Sequence, residues 1–177
     1  MESQLCHNVI QKLQALGFKI TWTLLKIGYE GQDFLPKLIS SDAISQYAEC
    51  LVETMESGYE LIVQLISPAD EMEFCQVLEK LAQAEKVQQS VQQRKLRVYV
   101  VLEALETLPN DYFNGLLELT DTWVSLGLPD DCPHVVQGRN NSYTPQEYYT
   151  QDMFDSLLAK NKQWAKAEIE YIKSLEN

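Results

Sequence analysis

Ser40–Gly58 reads SSDAISQYAECLVETMESG, and the spacing of its apolar residues decides the fold. Ile44, Tyr47, Ala48, Leu51, Val52 and Met55 recur at i, i+3, i+4, i+7, i+8 and i+11, the buried stripe of an α-helix. Gln46, Glu49, Glu53 and Glu56 take the opposite side. Ser40, Ser41 or Asp42 caps the start, its side-chain oxygen accepting from a backbone N–H that lacks a partner inside the helix. Gly58, free to take a positive φ, is expected to stop it. A half-buried strand would alternate with period two, and this stretch does not.

The same signature extends in both directions. Leu5, Val9, Leu13 and Leu16 mark a first helix that Gly17 ends. Ile20 to Ile27, with Trp22 inside and Gly28 and Gly31 closing it, predicts a short helix, although its β-branched residues also suit a strand. Asp33 to Ile39 contains Pro36 and admits at most a helix of one or two turns. Tyr59 to Ile66 reads as another short apolar helix. Ser67-Pro68-Ala69-Asp70 then offers a cap, a proline at N1 and an acid at N3 for a helix that buries Phe74, Leu78, Leu81 and Ala82.

Val87 to Leu108 predicts a long helix with Val91, Val98, Leu102 and Leu105 inward. Pro109-Asn110 breaks it and caps a helix that groups Phe113, Leu116, Leu117, Thr120 and Val124, ended by Gly127 and Pro129. Thr144-Pro145-Gln146-Glu147 is a capping box that opens the last helical stretch. There Phe154, Leu157, Leu158, Trp164, Ile169, Ile172 and Leu175 are apolar, and a break is expected near Asn161. The expectation is an all-α chain: one compact domain over 1–177, about eight mostly antiparallel helices, and one long polar loop near 129–143.

Composition agrees. At 177 residues and 20.3 kDa the chain can bury roughly 70 % of its surface, enough for a core without metals or disulfides. Seven Gly and six Pro are too few for an all-β protein of many tight turns. Four Cys, at 6, 50, 75 and 132, form no CxxC and no clustered pair, unlike a secreted disulfide scaffold. MESQLCHNVI lacks the basic and apolar regions of a secretory signal, and the apolar runs fall far short of a membrane span. A reduced, cytoplasmic protein is the expectation.

The net charge of −12, from 26 acids and 14 bases, argues against a nucleic-acid or anionic-membrane surface. The acids are unevenly spread. Residues 41–85 hold ten acids and one Lys; residues 101–131 hold seven acids and no base. Solvated helix faces are one reading of such blocks, and a surface for a basic protein partner is the other.

Signatures of enzymatic chemistry are missing: no Gly-rich phosphate loop, no HExxH, no GxSxG. With two histidines, His7 and His134, neither a His-based triad nor a multi-His metal site is expected, and no catalytic residue, metal or cofactor is assigned. His7, near a helix start, is expected at the surface. The loop PDDCPHVVQGRNNSY at 129–143 has no period and is dense in turn formers. Its length invites a functional reading, with Asp130, Asp131, His134, Gln137, Arg139, Asn140, Tyr143 and Tyr148 as binding residues. A zinc site through Cys132 and His134 lacks further ligands, and Pro133 between them hinders both turning to one ion. The plainer alternative is a polar cover over helix ends, its side chains bonded to loop backbone. Tyr143, Tyr148 and Tyr149 beside the loop resemble a contact surface, whereas Trp22, Trp123 and Trp164 sit at core spacing.

The segment over residues 112–149, YFNGLLELTDTWVSLGLPDDCPHVVQGRNNSYTPQEYY, resembles the C-terminal signature of a bacterial all-helical family of unknown function. The shared features are a Gly-Leu helix, a Trp, a Pro-Asp and Pro-His run, a Gln-Asn stretch and a Tyr. TWTLLKIGYEG at 21–31 and Ile44 to Leu51 are similar more loosely. The resemblance implies a small, bacterial, cytoplasmic, helical protein and transfers no catalytic residue. Small acidic families of this kind are often proposed, by analogy, to be immunity proteins that neutralise toxins. Two function classes follow: a non-enzymatic binding protein, such as an immunity-type inhibitor of a basic toxin, or an enzyme or small-ligand binder with its site in loop 129–149.

Overall fold

The computed structural model describes residues 2–176, with side chains from residue 9 to residue 176. Among the described residues there are nine helices and no strand, and helix covers 64 % of the chain. They are α1 (Glu2–Ala15), α2 (Trp22–Glu30), α3 (Ser41–Val52), α4 (Val63–Ile66), α5 (Glu71–Ala84), α6 (Gln89–Glu106), α7 (Tyr112–Ser125), α8 (Pro145–Tyr148) and α9 (Gln151–Glu176). Two compact units form: residues up to Leu96 together with Glu176, and residues 97–175. The side chains of Leu5, Cys6 and His7 lie outside the described residues.

In the first unit α2 packs on α5, α3 packs on α1 and α4, and α4 packs on α5. Helix α1 ends in a Schellman motif. Gly17, at φ 83°, donates to Gln14 O and Phe18 donates to Leu13 O, with Phe18 and Leu13 both buried. Helix α2 begins at Trp22, later than its apolar run, because Thr21 caps it and Glu85 receives the Trp22 and Thr23 N–H groups at 2.9 Å each. Gly28 does not close α2. Its carbonyl accepts from Leu38 and Ile39, and a Cβ there would lie 2.8 Å from Ile39 Cγ1, so the glycine makes room for the returning chain.

That docking explains why Asp33 to Ile39 forms no helix. Gln32 and Leu35 exchange backbone bonds across a turn with Asp33 at φ 53°, and the following N–H groups are spent on α2. Helix α3 is capped by Ser40 but stops at Val52 rather than Gly58. Thr54 turns both its N–H and its hydroxyl onto Leu51 O, competing with helical pairing. Only one turn of the expected Tyr59–Ile66 helix forms, since its cap position, Ile62, offers no side-chain acceptor. Asp70, not Ser67, caps α5, while Glu73 accepts from Ala69 N in return. Wholly buried Lys95 is satisfied within this unit by Lys19 O, Gln92 Oε1 and the Glu176 carboxylate.

In the second unit α7 presents a different face from the expected one. Phe113 and Val124 are 48 % and 50 % exposed, while Leu116, Leu119, Thr122 and Trp123 are buried. Thr122 goes inward because its hydroxyl is spent on Glu118 O at 2.8 Å. Gly127 and Leu128 close α7 with a second Schellman motif, onto Val124 O and Trp123 O. The last helical stretch breaks at Tyr149 and Thr150, where Thr150 Oγ1 caps α9, and runs unbroken through Asn161. Asn161 is wholly buried yet satisfied: it donates to Leu157 O at 2.7 Å and accepts from Trp123 Nε1 at 2.6 Å. Leu51, Leu102 and Leu105 are only half-buried; Ile44, Ala48, Val98 and Val101 are buried in their helices.

Candidate functional site

The polar loop between α7 and α8 is tied down along its length. Asn141 makes the tightest knot: its amide donates to Val136 O (2.8 Å) and Arg139 O (2.7 Å), and its oxygen accepts from Gly138 N and Tyr143 N. Gln137 Nε2 donates to Tyr143 O at 2.8 Å. Gly138 and Asn140, at φ 77° and 56°, make the left-handed bends that this knot requires. At the loop's start Asp131 Oδ2 accepts from Arg97 (2.7 Å) and from Trp164 Nε1 (3.2 Å). Arg97 also lies over the Trp164 ring, 5.3 Å from its centroid, and reaches Glu168 at 3.3 Å.

Beneath the loop sits His134, only 7 % exposed. Its Nε2 lies 2.9 Å from Thr120 Oγ1 and 3.2 Å from the Tyr148 hydroxyl. Thr120 donates its hydrogen to Leu116 O, and Tyr148 donates its own to Val135 O at 2.6 Å. Burial pushes the His134 imidazole down to about 4 from its usual 6.5, so the ring is neutral at pH 7. Tyr148 stands in the core of the unit with Leu116, Phe154 and Leu157. Cys132, half-buried, directs its thiol to His134 O at 3.7 Å, and burial raises its pKa.

Five of the eight residues expected at a site, Asp130, His134, Arg139, Asn140 and Tyr143, line one cleft of about 540 Å³. Leu128, Cys132, Val135, Val136 and Asn141 complete it. Asp131, Gln137 and Tyr148 stand outside it and hold the loop in shape.

The first unit contains a second cleft, of about 670 Å³, that no motif marks. Its lining includes Asp42, Glu49, Asp70 and Glu71, and no Lys, Arg or His. Asp42 lies in the first turn of α3, and Asp70 caps α5, where helix N-termini stabilise negative charge. Tyr29 donates to Glu71 Oε1 at 3.0 Å across the cleft wall. Its burial, with that carboxylate, pushes the phenol up to about 12. The only sequence signal for this cleft was the acidic block at 41–85, since the four carboxylates come from two helices.

A family model described as an uncharacterized protein conserved in bacteria (DUF2247) matches residues 10–169. The chain belongs to this family. The match covers the α7–α8 segment that carries the resemblance noted above, and nearly all of both units. No curated protein and no solved structure matches the chain. Family membership assigns bacterial occurrence and no activity, so the chemistry of the two clefts carries the functional argument. Among the described residues, no helix is long and apolar enough to cross a membrane.

Proposed function

We propose that the protein is a cytoplasmic, non-enzymatic binding protein that engages a basic protein partner, in the manner of an immunity-type inhibitor meeting a basic toxin. The observation that supports this reading is the 670 Å³ cleft of the first unit, with four carboxylates in its lining and no cationic side chain. It stands on a chain of net charge −12. Such a surface accelerates encounter with a basic partner and disfavours acidic ones, and both effects weaken as salt screens the charges. Glu49 and Asp42 are exposed, so a partner's Lys or Arg reaches them without disturbing the fold.

The test is affinity capture from a bacterial lysate with the wild-type chain and with Asp42→Lys/Glu49→Lys as baits. These positions leave the Asp70 cap and the Tyr29–Glu71 bond intact. A basic protein retained by wild type at low salt, released at high salt and lost from the charge-reversed bait supports the proposal. Equal retention by both baits, or retention insensitive to salt, refutes it.

A further inference from the structure

We propose that Lys95 and Lys19 form a binding site for the carboxylate of a small organic acid, and that Glu176 closes this site in cis. The site is distinct from both clefts and does not depend on the reading given to the acidic one. All its groups belong to the first unit.

Lys95 is wholly buried on α6, and its ammonium has three hydrogens to place. One goes to Lys19 O at 2.7 Å, one to Gln92 Oε1 at 2.9 Å and one to Glu176 Oε1 at 2.5 Å. The first two acceptors are neutral, so Glu176 alone of the three brings a negative charge. The neutral part is rigid. Thr21 Oγ1 accepts the Leu24 N–H as the cap of α2 and donates its own hydrogen to Gln92 Oε1 at 3.0 Å. Gln92 is buried, its oxygen held from one side by Thr21 and from the other by Lys95.

Lys19 supplies the remaining donors. Its backbone N–H reaches Glu176 Oε2 at 3.4 Å, and its ammonium meets Glu176 O at 2.6 Å. Both oxygens of the carboxylate are therefore held, one by each lysine. Donors converging on both oxygens, and fixed by their own neighbours before the anion arrives, are what carboxylate recognition needs.

Stability alone does not call for this arrangement. Apolar side chains in place of a buried ion pair are often neutral or stabilising, whereas a buried ammonium left without its anion is strongly destabilising. Lys95 thus makes the unit dependent on a carboxylate being in place, which is the property of a switch rather than of a prop. Burial lowers the Lys95 pKa; Glu176 is the main opposing influence, Glu85 adds to it, and Lys19 works against it. The Glu176 side chain is 11 % exposed against 0 % for Lys95, so the occupant links the buried ammonium to the surface. Its tether gives Glu176 an effective concentration on the order of millimolar, so a free acid displaces it only above that range or with contacts of its own.

The experiment compares the full chain as wild type, Glu176→Ala and Glu176→Gln, in sodium acetate and in sodium chloride of the same ionic strength. Alanine keeps Cβ and vacates the volume of one acetate, whereas glutamine fills that volume with an uncharged amide. Thermal denaturation and 15N NMR are the readouts. Glu176→Ala should melt below wild type in chloride, and acetate should raise its midpoint along a saturating curve. The same titration should shift the amides next to Lys19, Gln92 and Lys95. Wild type and Glu176→Gln should be at least tenfold less sensitive, and adding Lys95→Met to Glu176→Ala should abolish the response. If Glu176→Ala is unfolded in chloride, folding in acetate supports the proposal, and failure to fold in either salt overturns it. Equal midpoints in acetate and chloride overturn the site. A response that is as strong in wild type, or that survives Lys95→Met, overturns its assignment to Lys95 and its closure by Glu176.

Discussion

Replacing Asn161 by Leu should destabilise the protein even though it completes the apolar periodicity of α9. Asn161 and Trp123 are both wholly buried, and the Trp123 Nε1–H has the Asn161 carbonyl oxygen as its acceptor at 2.6 Å. Leucine shares asparagine's branching and is bulkier, so no void forms, but the indole N–H is orphaned away from water. That penalty is about 1–3 kcal/mol, against which the added apolar burial returns a part. Asn161→Ala adds a void and should cost about 2–4 kcal/mol.

The decisive measurement is a double-mutant cycle with Trp123→Phe, which removes the donor. Asn161→Leu should cost roughly 1–2 kcal/mol less in the Trp123→Phe background than in wild type. Urea denaturation followed by the far-UV circular dichroism of the helices reads these differences as shifts in midpoint at constant slope. A coupling energy within about 0.5 kcal/mol of zero would mean that the Trp123–Asn161 bond does not hold the two helices in register.

Three further outcomes follow from the same geometry. His134 titrates near 4 in the folded chain and near 6.5 unfolded, so the unfolded state binds the extra proton between those values. Stability should therefore fall as pH drops through that window, by up to about 3 kcal/mol, and His134→Gln should flatten this part of a stability-against-pH profile. Gly115→Ala raises helix propensity, yet its Cβ would lie 2.9 Å from Phe154 Cζ and nearer still to Cε2, inside the α7–α9 packing. A net loss of about 1–2 kcal/mol is expected, and Phe154→Leu in the same chain should relieve it; a stabilised single mutant in thermal denaturation would show that the ring moves aside freely. Ser40→Ala removes the acceptor for Ala43 N and should cost about 1 kcal/mol, read as faster amide exchange in the first turn of α3.

Local signals carried far along this chain. Gly17 and Gly127 end helices where the sequence places them, because a positive φ there is a backbone need that only the local chain must meet. Thr144 and Glu147 form their capping box for the same reason. The bonds that organise the loop also run mostly within a few residues of each other, so its composition announced an ordered segment. Asn141 ties residues 136 to 143, and Gln137 reaches Tyr143.

What the sequence by itself determined is thus the helical class, some helix ends such as those at Gly17, Gly127 and Thr144, and the presence of a built polar loop. All of these rest on interactions between near neighbours in the chain. Partners far along the chain decided the remainder. Asn161 looked like a break until Trp123, 38 residues away, supplied the donor that makes a buried amide tolerable. Asp33–Ile39 had helical room, but Gly28 took its N–H groups. Asp131 and Tyr148 read as contact residues, yet Arg97 and Val135 O hold them as struts. The acidic cleft likewise gathers Asp42 and Glu49 of α3 with Asp70 and Glu71 at the start of α5. Periodicity tells which side of a helix is buried; only packing tells which groups meet there, because a long-range partner leaves no mark on the local pattern.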